Sequence, residues 1–260
     1  MRAADFSQVE AIFTDVDGTM TTSGKLNAAT LAALERLAAL GLPVVLVSGR
    51  SSGWGECWAR QWPVAGVVVE NGGLYFAWRR GRLVKVYAQP PSVRGPNRRA
   101  LERQVDRAIA KVPGARRSMD SAATEVDLAI DYAEDARLTV ESAIELEAQL
   151  VSRGVSAVRS SVHVNCWLGR FDKASTVRRF LHREWGKHLE QDDRRYVYVG
   201  DSLNDAPMFG AFGLSVGVAN VMDVADVLDE RPAYVTRARE SAGFIELAKA
   251  VARARARKES

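Results

Sequence analysis

Residues 11–19 read Ala-Ile-Phe-Thr-Asp-Val-Asp-Gly-Thr, which is a short apolar run of strand length followed by an acidic turn. Asp15 and Asp17 have the i, i+2 spacing that places two side chains on the same face of a straight strand. Gly18 permits a sharp bend directly after them, so the two carboxylates can serve one centre in different roles. The stretch therefore predicts a buried strand that ends in a pair of carboxylates.

Three further apolar runs of strand length also end in short polar turns that contain glycine. These turns are Ser-Gly-Arg at 48–50, Glu-Asn-Gly-Gly at 70–73 and Gly-Asp-Ser-Leu-Asn-Asp at 200–205. Helical patterns separate the runs, and strands that are apolar on both faces and alternate with helices predict a doubly wound parallel sheet. Ligands of such sheets bind outside the carboxyl ends of the strands. We therefore expect the four turns to meet at one edge of the sheet.

The pattern changes in the middle of the chain. A predicted hairpin at 73–88 is followed by Gln-Pro-Pro-Ser at 89–92, which is typical of a linker. Beyond it, the sequence predicts an antiparallel α+β unit with helices at 97–111 and 133–152 and strands at 125–132, 157–160 and 162–168. The predicted fold class is thus α/β, with a core domain of residues 1–89 and 170–260 and an inserted α+β domain of residues 90–169.

The doubly wound pattern resumes after the insertion and runs to the end of the chain. Asp172 is predicted to cap a helix that reaches residue 185. The later predicted elements are strands at 196–199, 214–218 and near 234, and helices at 203–209 and from 241.

Composition narrows the class of protein and of metal site. The 260 residues include two cysteines and three histidines with no i, i+4 pair, which argues against a disulfide scaffold and a histidine-built zinc site. No apolar run approaches the roughly 20 residues that span a bilayer. Residues 1–10 also lack the layout of a signal peptide. We expect a cytoplasmic protein, no membrane partner, and a metal held by oxygen.

The net charge is +4, and a basic run, Ala-Arg-Ala-Arg-Ala-Arg-Lys, lies at 252–258. Such a run occurs in nucleic-acid or membrane tethers, and it also occurs at solvated helix ends, where cations suit the helix dipole. We favour the helix end, so no nucleic-acid partner is predicted.

The acidic turns suggest phosphoryl chemistry. A carboxylate is a competent nucleophile toward phosphorus and gives an aspartyl-phosphate, and a second carboxyl group can protonate the leaving oxygen. Mg²⁺ would relieve the repulsion between a carboxylate and a phosphate, and Asp201 and Asp205 supply further acidic groups at the adjacent strand end. Ser48 and Lys173 can offset the remaining phosphate charge.

Together these motifs resemble those of the haloacid dehalogenase superfamily, specifically its C2B-capped subfamily IIB. That branch includes the Cof-type, sucrose-phosphate and mannosyl-3-phosphoglycerate phosphatases. The resemblance covers nearly the whole chain and implies a Rossmann-like core with a C2B cap. It is carried by Asp15 and Asp17 in 13–19, by 47–50, by Lys173 in 171–175, by 200–205 and by the Glu-Asn-Gly turn at 70–72.

The resemblance also implies roles for individual residues. Asp15 would be the nucleophile and a metal ligand, and Asp17 would be the general acid and base, with its backbone carbonyl on Mg²⁺. Phosphate would be held by Ser48, Gly49 and Lys173; the metal would also be bound by Asp201; and Asn204 and Asp205 would order the metal site and Lys173.

The insertion would act as a cap that recognises the leaving group of the substrate. The residues proposed to contact the substrate are Arg50, Asn71, His163, Asn165, Trp167 and Arg170. Packing is an equal alternative for Trp167, and a structural role is the alternative for His163. Glu125 and Asp127 could contact sugar hydroxyls or lie on a solvated sheet face.

The sequence therefore predicts a Mg²⁺-dependent phosphatase for a small phosphorylated metabolite, with a sugar phosphate favoured. A phosphomannomutase-like phosphomutase and a nucleic-acid-binding protein that uses the basic tail are the alternatives. No oligomeric state is predicted.

Overall fold

A computed structural model of the chain describes residues 4–160, 162–192 and 194–259, without the side chains of residues 258 and 259. Residues 1–3 of the N-terminal segment and the side chain of Lys258 in the basic run lie outside that description. The described part contains two β-sheets, each covered by helices. No helix within these ranges combines the length and the apolar character that crossing a bilayer requires.

The larger sheet has eight strands and the smaller one has four. The strands are β1 Ala11–Thr14, β2 Val44–Val47, β3 Gly66–Val69, β4 Leu74–Arg79, β5 Arg82–Tyr87, β6 Arg116–Arg117, β7 Asp127–Asp131, β8 Ser156–Arg159, β9 His163–Trp167, β10 Tyr196–Gly200, β11 Leu214–Gly217 and β12 Tyr234–Val235. The larger sheet has the order β12-β11-β10-β1-β2-β3-β4-β5. It is parallel from β12 to β3, and β4 and β5 add an antiparallel hairpin at one edge.

Seven α-helices accompany the sheets in the described ranges. They are α1 Ala28–Ala39, α2 Ser52–Gln61, α3 Pro91–Ile109, α4 Val140–Val151, α5 Lys173–Phe180, α6 Ala206–Ala211 and α7 Glu240–Glu259. Residues 181–185 continue α5 as a π-helical turn. Asn27 caps α1, with its side chain accepting the N–H of Thr30 at 2.9 Å.

Apolar layers lie on both faces of the large sheet because successive strand residues point to opposite sides. Ile12 packs in one layer with Leu37 of α1 and Phe244 of α7. Phe13 packs in the other with Phe180 of α5. Fully burying a side chain of this kind stabilises the fold by roughly 1.5–3 kcal/mol. The two layers confirm the predicted doubly wound α/β class.

The smaller sheet is antiparallel, in the order β6-β7-β9-β8, and α3 and α4 cover one of its faces. Leu101 of α3 and Leu146 of α4 pack against Leu128 of β7 in this third apolar layer. The inserted α+β unit is thereby confirmed as part of the fold class. The two-residue strand β6 was not predicted.

Two predicted helix starts in the insertion are wrong. Helix α3 begins at Pro91 and not at residue 97, because proline needs no hydrogen-bond partner at the first helical position. Helix α4 begins at Val140 and not at residue 133. The side chain of Asp131 accepts the N–H groups of Glu134 at 2.9 Å and Ala136 at 2.9 Å, so the intervening segment forms a loop.

Glu70 joins the two sheets. Its buried carboxylate accepts backbone N–H groups from Ser52 of α2 at 2.9 Å and from three consecutive residues at the start of β7. Those three donors are Glu125 at 3.0 Å, Val126 at 2.7 Å and Asp127 at 3.1 Å. Burial raises the pKa of Glu70, whereas the four donors favour its charged form. The end of β3 is therefore tied to the insertion through main-chain hydrogen bonds.

Candidate active site

Three buried carboxylates meet at the carboxyl ends of β1 and β10, which are adjacent parallel strands. Asp15 follows β1, and its N–H donates to the carbonyl of Val199 at 2.8 Å. Oxygens of Asp15, Asp201 and Asp205 all lie within 4.8 Å of one another. The expected meeting of the first and fourth polar turns is thus seen in the geometry. This is also the point where the order of the strands reverses, the usual ligand site of doubly wound sheets.

Lys173 enters this cluster from the first turn of α5. Its Nζ lies 3.0 Å from Asp15 Oδ1 and 2.6 Å from Asp205 Oδ1, and all three side chains are buried. Burial alone would lower the pKa of Lys173, but the two carboxylates raise it overall. Burial raises the pKa of Asp15 to about 8, even though the Lys173 charge opposes the shift. The cluster therefore holds more negative charge than one lysine neutralises.

Hydrogen bonds with neighbouring side chains and backbone groups hold Lys173 and Asp205 in place. Asp172 and Ser175 form a reciprocal capping box at the start of α5, and Thr176 donates to the carbonyl of Gly72 at 2.6 Å. Asp205 accepts from Tyr198 Oη at 2.5 Å and from the backbone N–H groups of 201 and 202 at 2.9 and 3.1 Å. Its two oxygens are thus already engaged with donors of the protein.

Asp201 has partners that differ from those of Asp205. Its Oδ1 accepts from Thr19 Oγ1 at 3.0 Å, and its Oδ2 accepts from Asn220 Nδ2 at 2.9 Å. Burial, then the neighbouring carboxylates, raise the pKa of Asp201 well above its usual range. The sequence reading missed Asn220. The signal was available, because Asn220 comes shortly after β11, as the other polar turns follow their strands.

Asp17 does not join the carboxylate cluster and pairs with Arg50 instead. Arg50 Nε donates to Asp17 Oδ2 at 2.8 Å, and Arg50 Nη2 donates to Asp17 Oδ1 at 2.9 Å. The same Nη2 lies 2.8 Å from Glu134 Oε1, and Glu134 Oε2 lies 2.9 Å from His163 Nε2. The close contact with His163, followed by Arg50, lowers the pKa of Glu134 to about 2. Glu134 was also missed, because the sequence placed it inside a helix.

A cavity of about 20 Å³ lies between the carboxylate cluster and the insertion. Eight of the residues singled out from the sequence line it, namely Asp15, Asp17, Ser48, Gly49, Arg50, His163, Asn165 and Asn204. Asn204 accepts from Ser202 Oγ at 2.7 Å within the fourth turn. An open cleft of about 780 Å³ adjoins Asp17 and Arg50 and is walled by Tyr132, Arg159 and Arg239.

The other residues proposed to contact the substrate do not line this cavity. Trp167 stacks on Phe171 and donates to its carbonyl at 3.0 Å, which is a packing position. Asn71 donates to the buried Asp127 at 2.9 Å, and Arg170 is exposed.

Glu125 also lies outside the cavity and belongs to the joint between the two sheets. It accepts from Ser52 Oγ at 2.8 Å and from Lys85 Nζ at 2.5 Å. Neither Glu125 nor Asp127 lies on a solvated sheet face.

The carboxylate cluster fits a hard divalent cation. Mg²⁺ prefers carboxylate, carbonyl and water oxygens. Asp15 and Asp201 offer buried oxygens close together, whereas Asp205 is committed to Lys173 and its other donors. Burial raises the pKa of Asp15 and of Asp201, and the neighbouring carboxylates add to the shift, so a bound cation would favour their charged forms. Asp15 and Asp201 are therefore the carboxylates of this cluster that are best placed to hold the metal.

Comparison with known proteins places this geometry in a family. A family model described as haloacid dehalogenase-like hydrolase matches residues 12–91 and 125–243, which include the strand ends described above. Two proteins named phosphoglycolate phosphatase are similar in sequence. The one from Methanococcoides burtonii is 27% identical over 220 residues, covering 82% of this chain and 84% of its own. The one from Methanosarcina mazei is 28% identical over 251 residues, covering 91% and 94%.

The same architecture occurs in solved structures. A sucrose-phosphatase from Synechocystis, solved in complex with sucrose and phosphate, aligns with a TM-score of 0.63. The alignment covers 94% of this chain and 98% of that one at 16% identity, so it shows a shared fold.

Proposed function

The chain belongs to the haloacid dehalogenase-like hydrolases. On this premise we propose that the protein is a Mg²⁺-dependent phosphatase that cleaves a small phosphate monoester, with Asp15 as the nucleophile. The family and the phosphatase names of the relatives support a phosphoric monoester hydrolase. The observation that carries the proposal is the placement of Lys173 between Asp15 and Asp205 beside Asp201. Such a buried charge set is costly to remove from water, and groups of this kind cluster at functional sites.

In this proposal Asp15 attacks phosphorus and forms an aspartyl-phosphate, which water then hydrolyses. Lys173 favours the charged form of the attacking carboxylate and orients it. The hydroxyl of Ser48 lines the cavity and already accepts from the N–H of Arg50 at 3.1 Å, so its own proton is available to a phosphate oxygen. The N–H of Gly49 adjoins it. Asp17 protonates the leaving oxygen and later takes a proton from water.

The metal is proposed to be held by Asp15, Asp201 and the backbone carbonyl of Asp17. When bound, Mg²⁺ supplies positive charge that lets an anionic nucleophile approach an anionic phosphate. Asn220 and Thr19 fix the Asp201 carboxylate, and Asp205 fixes Lys173, so these residues orient the groups that contact the substrate.

We further propose that residues 90–169 form the cap and that residues 1–89 and 170–260 form the core. His163 and Asn165 of the insertion line the cavity beside Asp15, and Glu134 pairs with Arg50, which supports a role of the insertion in closing the site. The position of Trp167 against Phe171 supports packing and not substrate contact for that residue.

Two substrate classes suit the proposal. A sugar phosphate agrees with the sequence interpretation and with the name of the structural neighbour, and the cleft of about 780 Å³ has room for a sugar. A phosphorylated hydroxy acid agrees with the names of the sequence relatives.

The direct test is phosphate release from an aryl phosphate, with Mg²⁺ and with a chelator in place of Mg²⁺. We expect release only with the metal and without any added bisphosphate, which a mutase would need. Equal release after removal of divalent ions would contradict the proposed mechanism.

A further inference from the structure

Arg50 is shared between two carboxylates that come from different parts of the fold. Asp17 belongs to the acidic turn after β1, and Glu134 belongs to the loop of the insertion before α4. The Arg50 side chain is only 13% exposed, whereas Asp17 is 26% and Glu134 is 37% exposed. A guanidinium this deeply buried requires acceptors for its N–H groups. Arg50 therefore has to keep two anionic partners.

Glu134 is the partner with a fixed position. One of its oxygens lies 2.8 Å from Arg50 Nη2 and the other lies 2.9 Å from His163 Nε2. Its backbone N–H donates to Asp131 at 2.9 Å, which holds the loop. Asp17 sits on a turn next to Gly18, a residue with positive φ, and it is the partner that the proposed reaction requires to act elsewhere.

Both oxygens of Asp17 accept from the Arg50 fork, at 2.8 and 2.9 Å. A carboxyl group engaged in this bidentate way cannot present a proton to a leaving oxygen. For Asp17 to act as the acid it must release at least one guanidinium N–H, and that donor then needs a new acceptor. The acceptor has to lie close to the leaving oxygen, because Asp17 contacts both.

Resting on the proposed phosphatase function, we infer that Arg50 selects substrates whose leaving group carries a carboxylate close to the ester oxygen. Such a carboxylate can replace Asp17 on the guanidinium fork, which keeps two anionic partners on Arg50 and frees Asp17. The substrate class is thus a phosphorylated short hydroxy acid. A neutral sugar offers only hydroxyl groups, which balance the positive charge of Arg50 less well than a carboxylate does.

The charge of the leaving group, and not its volume, distinguishes a phosphorylated hydroxy acid from a sugar phosphate at this site. Asp17 and Arg50 also border the open cleft of about 780 Å³, which would accept a sugar as well as a shorter group. Arg159 lines the same cleft, but it pairs with Glu147 at 2.6 Å within the insertion. It therefore provides an arginine of matched chemistry without the contact to Asp17.

The experiment compares 2-phosphoglycolate with 2-hydroxyethyl phosphate, in which a hydroxymethyl group replaces the carboxylate. With Mg²⁺ present, we expect the wild-type kcat/KM to favour phosphoglycolate by at least about 100-fold. Arg50→Gln should reduce this ratio by at least about tenfold, and Arg159→Gln should leave it within about twofold of the wild-type value. The ratio is measured within each variant, so a lower folded fraction does not change it.

The inference is overturned if the wild type does not prefer phosphoglycolate, or if Arg50→Gln retains the wild-type ratio. An aryl phosphate assayed in parallel distinguishes a failure of the inference about Arg50 from a failure of the proposed function. If phosphate is released from the aryl phosphate in the presence of the metal but phosphoglycolate is not preferred, the inference is contradicted and the proposed function is not. If phosphate is released from none of the three esters, both the proposed function and the inference are contradicted.

Discussion

Lys173 Nζ lies 3.0 Å from Asp15 Oδ1, although 158 positions separate the two residues in the chain. Both side chains are buried, and the same Nζ lies 2.6 Å from Asp205 Oδ1. The contact exists only because β1 and α5 end and begin at the same edge of the large sheet. It couples the stability of the fold to the chemistry of the site.

Removing the lysine charge should destabilise the protein. Lys173→Met leaves Asp15 and Asp205 buried without a cation, and we expect the free energy of unfolding near neutral pH to fall by about 3 kcal/mol. Urea unfolding measures it. The double variant Lys173→Met with Asp205→Asn should recover part of the loss, because one of the uncompensated carboxylates is gone. A single variant as stable as the wild type would contradict the burial of this charge set.

The nucleophile can be tested without disturbing the fold. Asp15→Asn removes the attacking carboxylate but also one of three crowded acids, so activity should fall at least about 1,000-fold while stability is retained or raised. Phosphate release and thermal unfolding measure the two quantities. The control is Asp106→Asn, whose carboxylate is 61% exposed and pairs with Arg117 at the surface. Substantial remaining activity in Asp15→Asn would rule out this residue as the nucleophile.

The stability of the metal-free protein should depend on pH in a defined direction. Asp15 has a folded-state pKa of about 8 against an ordinary value of 3.8, so between these values the folded state holds more protons than the unfolded state. Stability is thus full at the acidic end and is lost as the pH rises through the folded-state pKa. Asp201 shifts in the same direction. In chelator, the melting temperature should fall from about pH 5 to about pH 8.

Mg²⁺ should reverse this trend because it competes with protons for the same oxygens. We expect the rise in melting temperature on adding Mg²⁺ to be larger at the alkaline end of the range. An equal rise at both ends would argue against metal binding by Asp15 and Asp201.

Gly18 and Gly24 form a matched pair for testing the geometry of Asp201. Their φ angles are +73° and +72°, but a Cβ on Gly18 would lie 2.5 Å from Asp201 Oδ2, whereas a Cβ on Gly24 would meet nothing within 4 Å. Both changes to alanine should cost about 1 kcal/mol of backbone strain. Only Gly18→Ala should also weaken Mg²⁺ activation, by at least about tenfold. Titration of activity with Mg²⁺ measures this, and equal effects from the two variants would exclude a role for the close approach.

The main features of the fold could be predicted from sequence because they depend on local pattern. Apolar runs such as 44–47 and 66–69 are buried on both faces, and a parallel sheet is the fold that buries such strands. The polar turns after the strands located Asp15, Ser48 and Asp201 at one edge for the same reason.

Other features depended on side-chain contacts that the apolar pattern does not encode. Helical spacing favoured a helix from 133, but the N–H groups of 134–136 donate to the side chain of Asp131 at the end of β7 and keep that segment as a loop. The pairing of Arg50 with Glu134 was therefore invisible in the sequence. Trp167 shares a strand face with Asn165, yet only the packed structure shows that Phe171 covers its ring.

The attachment of the insertion by Glu70 has an evolutionary consequence. Its carboxylate recognises amide groups at 125–127, and every amino acid except proline provides such a group. Mutations in that segment can therefore change side chains while the anchoring hydrogen bonds persist. An ancestral scaffold of this kind could acquire new specificities by drift in the insertion, with its orientation over the carboxylates inherited unchanged.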